Sequence, residues 1–214
     1  MIAVVGGGRC GSSLMMQTLS LLGVPLLGNP AARTTHQLWQ AYQENSGEIL
    51  NDLPMSKNPK GYYEISLNKI DEIVTGKDKN LYEGEAVKFT TPDIIDIDPE
   101  KIESVIYCRR RNIRKAAKSM ALLARQDYEY GRDNDLKFCF SSIYPAFKIK
   151  DWEKHMILFN ERVTDWLSKI KKPFVEIWFE DMTRNPEPII QHLGDFLNLD
   201  NPDISEALKN VEKR

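Results

Sequence analysis

The sequence predicts an α/β protein, a three-layer sandwich around a central parallel sheet, and three observations carry that prediction. Short apolar runs at Ala3–Val5, Ala86–Phe89, Val105–Cys108 and Phe174–Trp178 alternate with stretches of helical spacing. A parallel sheet with crossover helices requires that alternation. The first run passes through a glycine-rich turn directly into an amphipathic segment, Leu14, Met15, Thr18, Leu19 and Leu22, as a strand–turn–helix unit does. Finally, Trp152, Met156, Phe159, Val163, Trp166 and Ile170 recur at four- and three-residue spacing over 151–170. That is one stripe of a long helix packed on the core.

The first unit is the most informative. The strand start Ile2–Val5 runs into six residues framed by Gly6 and Gly11, followed by Ser12, Ser13 and Leu14. Such a turn aims backbone N–H groups and the positive end of a helix at one point, which suits a phosphate. A nucleoside-triphosphatase loop of this kind ends in Gly-Lys-Ser/Thr, with the Lys on the outer phosphates and the hydroxyl on Mg²⁺. Here Ser12 stands at the Lys position and the loop's charged side chain is Arg9. The loop can hold an anion but lacks the parts for magnesium-dependent phosphoryl transfer.

The next unit is strand 104–108, which ends in Cys-Arg-Arg-Arg-Asn and leads into a helix through Ile113, Ala116, Ala117 and Met120. Ligands of open α/β sheets bind beyond the carboxyl ends of the strands. Arg111 lies at that end, and Ser119 lies two helical turns further on. A guanidinium grips phosphate oxygens in pairs, so a second anion site is expected here. Two anion sites at neighbouring strand ends imply a ligand with two separated phosphate-like groups. Further along, Asn185-Pro186-Glu187 has the residue types of a helix start: a cap, a fixed first turn and an acid for the positive end.

With 214 residues, the chain is expected to form one domain, 1–214, able to bury a core without disulfides or metals. Its 29 basic and 31 acidic residues nearly balance, so no general attraction to nucleic acid or membrane is implied. Cys10, Cys108 and Cys139 are too few and scattered for a disulfide framework or zinc site. With no apolar run near ~18 residues and a strand pattern opening at residue 2, a cytoplasmic protein is expected. Residues 24–62 and 127–148 fit the alternation poorly and are expected to form acceptor-site or lid segments.

These motifs together resemble the PAPS-dependent sulfotransferases. Gly8-Arg9-Cys10-Gly11-Ser12-Ser13 is similar to that family's 5′-phosphosulfate loop, a basic residue followed by Ser-Gly-Thr-Thr/Ser. Arg111-Asn112-Ile113 with Ser119 resembles its 3′-phosphate motif, Arg-Asp/Asn-Pro with a Ser eight residues after the Arg. Trp178-Phe179-Glu180-Asp181-Met182, Asn185-Pro186-Glu187 and Leu193-Gly194-Asp195-Phe196-Leu197 are similar to its Tyr-Glu-Asp-Leu, Pro-Glu and Leu-x-x-Phe-Leu segments. Weaker likenesses lie at Gly61-Tyr62-Tyr63-Glu64 and Val87-Lys88.

The resemblance implies a P-loop-type sulfotransferase. It would move a sulfuryl group from 3′-phosphoadenosine 5′-phosphosulfate (PAPS) to a hydroxyl or amine, leaving PAP, without a metal. Gly8, Arg9, Cys10, Gly11, Ser12, Ser13 and Leu14 would hold the phosphosulfate, and Arg111 with Ser119 the 3′-phosphate. Arg9 would also be catalytic, through charge alone, since a guanidinium does not give up its proton. The family's general-base His is missing from Val87-Lys88-Phe89-Thr90-Thr91-Pro92, which leaves Glu64 and then His36 as candidate bases. Lys88 is an electrostatic candidate, whereas Glu180, Asp181, His155 and His192 are read as structural. A small-molecule or carbohydrate acceptor is expected, with no nucleic-acid or membrane partner. The alternatives are a non-catalytic PAP/PAPS-type nucleotide-binding protein of the same fold and, third, a P-loop nucleotide kinase.

Overall fold

The computed structural model describes residues 1–26, 86–89, 92–122 and 148–212. In chain order these give β1 (Ile2–Val5), α1 (Ser12–Leu21), β2 (Ala86–Phe89) and β3 (Ser104–Arg109). Next come α2 over residues 113–122, α3 (Ile149–Ile170), β4 (Phe174–Trp178), α4 (Phe179–Arg184), α5 (Pro186–Phe196) and α6 (Ile204–Glu212). Short 3₁₀ turns at Pro92–Asp96 and Pro99–Lys101 lie between β2 and β3. All four apolar runs of the sequence are strands, and they pair in parallel in the order β2-β1-β3-β4.

Alternation along β1 sorts its side chains between two cores. Ile2 and Val4 pack with Leu14, Met15, Met16 and Leu19 of α1 and with Ile190 and Leu193 of α5. Ala3 and Val5 pack on the opposite face with Phe159, Val163 and Trp166 of α3. The result is helix, sheet, helix: the three layers expected. Seven residues of α3 are buried, including the whole predicted stripe. Burial at roughly 1.5–3 kcal/mol per large apolar side chain, before entropy is subtracted, makes this stripe the main anchor of that face. Among the described residues no helix is long and apolar enough to cross a membrane.

One local expectation is corrected. Asn185 precedes α5 and Pro186 occupies its first turn, but the Asn185 side chain makes no capping bond. Its backbone N–H instead donates to Asp181 O at 2.9 Å and closes α4. One residue serves two consecutive helices, and the backbone role fixes its geometry.

The topology also determines where a ligand would sit. The chain leaves β1 toward β2 on one side, whereas from β3 it proceeds to β4 on the other. Divergence of that kind opens a crevice beyond the carboxyl ends of the two middle strands. Val5 pairs with Tyr107, so the glycine loop after β1 and the arginine run after β3 emerge side by side.

Gly11 excludes a side chain for two reasons. Its φ is 93°, and a Cβ built on it would lie 2.6 Å from Phe179 Cδ2. The left-handed conformation and the overlap both penalise a side chain, together by about 2 kcal/mol or more. Gly11→Ala is therefore expected to lower the urea unfolding midpoint clearly, and an unchanged midpoint would show that the loop relaxes freely.

Candidate anion-binding site

The loop Gly6–Gly11 is fixed from both sides. Gly6 N–H donates to Phe89 O of β2 at 3.0 Å. A Cβ at Gly6 would fall 2.4 Å from Cys10 Sγ and 2.9 Å from Cys108 O, so only glycine lets the chain pass there. Arg110 Nη1 donates to Arg9 O at 2.9 Å, while its guanidinium stacks on Phe179 at 4.7 Å and lies 3.7 Å from Glu180. Arg9 itself has a φ of 64°, the turn that swings its side chain out of the loop. It is exposed, and its Nε donates to Ser119 Oγ of α2 at 2.8 Å. Loss of solvation against the loop and then the charge of Arg110 lower its pKa from the ordinary guanidinium value.

At the start of α1 the N-cap residue is Gly11, which has no side chain to cap the helix, and no acidic residue lies in the first turn. The first N–H groups of a helix have no partner within it, and here no carboxylate of the first turn answers them. Lys88, nearly buried in β2, sends its ammonium to Ser13 Oγ at 3.2 Å. The arrangement therefore gathers Arg9, Lys88 and the Ser13 hydroxyl about the positive end of one helix.

Other predicted contributors have different places. Cys10 and Leu14 are buried in the core; burial pushes the Cys10 thiol pKa up, and the Cys10 N–H already donates to Gly7 O at 3.3 Å. Ser12 is also buried. Gly8 lies against Met120, whose Sδ would be 2.7 Å from an added Cβ. Its role in the structure is to let α2 approach. Glu64 and His36 lie outside the described residues.

At the second predicted site, Ser119 and Arg111 have separate partners in the structure. Ser119 reaches Arg9, not Arg111. Arg111 extends toward the end of β4, where Nη1 and Nη2 donate to the two carboxylate oxygens of Asp181 at 2.6 and 2.7 Å. The cause is register: Arg109 pairs with Trp178, so residue 111 emerges beside residue 180 and its side chain reaches the next residue, Asp181. Trp178 lies between two guanidiniums, 4.6 Å from Arg109 and 4.9 Å from Arg111. Glu180 accepts from the backbone N–H groups of Arg111 at 3.1 Å and Asn112 at 3.4 Å. Asn112 then caps α2 by accepting from Lys115 N–H at 2.8 Å.

These contacts show in the titration directions. Partial burial alone would raise the Glu180 pKa, but the N–H donors and the Arg110 charge outweigh it and hold it low. The Arg111 hydrogen bonds lower the Asp181 pKa, and the Asp181 hydrogen bonds raise that of Arg111.

Arg110 was not singled out in the sequence as a loop anchor. Its signal was its place one residue past β3, next to the glycine loop, but that follows only once β1 and β3 are known to be neighbours. His155 packs edge-on against Trp152 at 6.0 Å, consistent with a structural residue.

No protein-family model matches the sequence, and no curated protein matches it. Among solved structures, the chain is similar to the crystal structure of retinol dehydratase in complex with androsterone and inactive cofactor PAP. The TM-score is 0.51 at 14% identity, over 99% of this chain and 63% of that one. A structure of retinol dehydratase in a complex with retinol and PAP gives a TM-score of 0.48 at 13% identity, with the same coverage. The chain thus spans less than two thirds of the length of the structures it matches. At such identity the likeness is one of fold: the chain shares the α/β fold of retinol dehydratase.

Proposed function

We propose that this protein is a PAPS-dependent sulfotransferase acting on a hydroxyl or amine of a small molecule or carbohydrate. One observation carries the reading. Arg9 stands exposed beside the N-terminus of α1, which has no acid in its first turn, at the carboxyl ends of β1 and β3. Gly11, Ser12, Ser13 and Leu14 would offer backbone donors to the phosphosulfate, with Ser13 and Lys88 beside them. Ser119 and Arg111 would face the 3′-phosphate. The androsterone bound by retinol dehydratase supports the choice of a small acceptor.

Bound PAPS supplies an activated sulfuryl group on a phosphate leaving group. In the transfer, the acceptor oxygen or nitrogen forms a bond to sulfur while the bond from sulfur to the bridging oxygen breaks. The negative charge that develops on that oxygen needs preorganised donors. Arg9, held by Ser119 through Nε and by Arg110 through its carbonyl, keeps its terminal amino groups without a hydrogen bond among the described residues. They are the donors assigned to that charge. Lys88 adds a second positive charge at the helix end. The acceptor's proton goes to a general base, for which Glu64 and His36 are the candidates.

Binding tests the nucleotide first. PAP at ~100 times its dissociation constant should add about 2.7 kcal/mol to unfolding stability, whereas ATP with Mg²⁺ should add little. The reverse pattern would contradict the reading and favour a kinase. For chemistry, Arg9→Ala should lower kcat about 10²–10³-fold while weakening PAP binding much less. Wild-type turnover in that variant would remove Arg9 from the mechanism. Glu64→Gln and His36→Ala, compared at saturating PAPS, should include one variant with turnover reduced about 10²-fold or more. Full activity in both would exclude both bases.

A further inference from the structure

We propose that Asp181 is a specificity-determining residue: it occupies the phosphate-gripping edge of Arg111 and sets how strongly a 3′-phosphate on the nucleotide is rewarded. The inference rests on the nucleotide reading above and extends it to a residue outside the sequence motifs for either phosphate.

The two helix starts at the crevice differ. α1 has no side-chain cap and no acid in its first turn. Beyond β3, the corresponding position is taken by the chain's own carboxylates. Glu180 holds the N–H groups of Arg111 and Asn112. Asp181 accepts from both terminal amino groups of Arg111 in the fork geometry that a phosphate would also use. A dianionic phosphate approaching Arg111 therefore meets a carboxylate already there. Either Asp181 turns away or the phosphate takes a poorer edge of the guanidinium, and both lower the affinity gained.

The exchange is feasible because the pair lies at the surface, with 51% of the Arg111 side chain and 41% of the Asp181 side chain exposed. Ion pairs this open contribute little net stability, so a group of higher charge can displace the carboxylate. Arg111 would not collapse when released. Its guanidinium is stacked on Trp178 at 4.9 Å, and the Glu180 bond to its backbone holds the turn. Asp181 thus acts as an internal stand-in for the 3′-phosphate. A nucleotide without that phosphate leaves the pair intact and gains nothing from Arg111.

Calorimetric dissociation constants for adenosine 3′,5′-bisphosphate and adenosine 5′-phosphate test this on the full-length chain. Asp181→Asn should bind the bisphosphate about tenfold more tightly than wild type, with the 5′-phosphate changed less than about twofold. In an Arg111→Gln background the same substitution should no longer improve bisphosphate binding. Asp181→Ala is measured beside it, so that one badly folding variant does not decide the result. Unchanged or weaker bisphosphate binding, with 5′-phosphate binding intact, overturns the stand-in role and makes Asp181 a residue that positions Arg111. Equal tightening for both ligands also overturns it, because the effect then lies outside the 3′-phosphate. If wild type binds neither nucleotide, the nucleotide reading itself fails and this inference with it.

Discussion

The parallel pairing of β1 with β3 is the constraint on which the rest of the site depends. Val5 opposite Tyr107 brings a glycine loop and a run of arginines to the same edge of the sheet. From that juxtaposition the remaining contacts follow. Arg110 can reach the Arg9 carbonyl, Arg9 can reach Ser119, and the adjacent β4 delivers Glu180 and Asp181 to the arginine turn. The sheet is held on both faces by apolar clusters that reach up to the loop, through Cys10 and Phe179 on one face and Phe159 on the other.

The concentration of cations there carries its own problem. Arg9, Arg109, Arg110 and Arg111 repel one another unless something separates or answers them. The chain uses aromatic faces and carboxylates in alternation. Trp178 separates Arg109 from Arg111, Phe179 supports Arg110, and Glu176, Glu180 and Asp181 pair with Arg109, Arg110 and Arg111. Arg9 is the arginine of this group whose described partner is a neutral hydroxyl. That difference in partner, more than position in the loop, is what sets Arg9 apart from its neighbours among the described residues.

Much of the fold was legible in the sequence because burial imposes periodicity. The four apolar runs and the Trp152–Ile170 stripe depend only on local spacing, and each is found where spacing puts it. The glycine loop was legible because an approach as close as that of Gly6 to Cys10 and Cys108 leaves a composition that few other structures need. Which arginine faces which partner was not legible. Arg111 meets Asp181 and Arg9 meets Ser119 through strand register and helix phase, and neither is encoded within one segment. Likewise, Asn185 has the composition of a side-chain cap but is held by its backbone, since α4 ends on the residue that begins α5.

The proposed function requires the carboxyl ends of β1 and β3 to hold the two ends of one bisphosphorylated nucleotide, with the start of α1 taking the 5′ end. A crystal structure of the complex with PAP tests this most directly. The 5′-phosphate should lie within hydrogen-bonding distance of the Ser12 and Ser13 backbone N–H groups and the Arg9 guanidinium, with the 3′-phosphate toward Arg111. A nucleotide bound in the opposite sense, or on another face of the sheet, would contradict it.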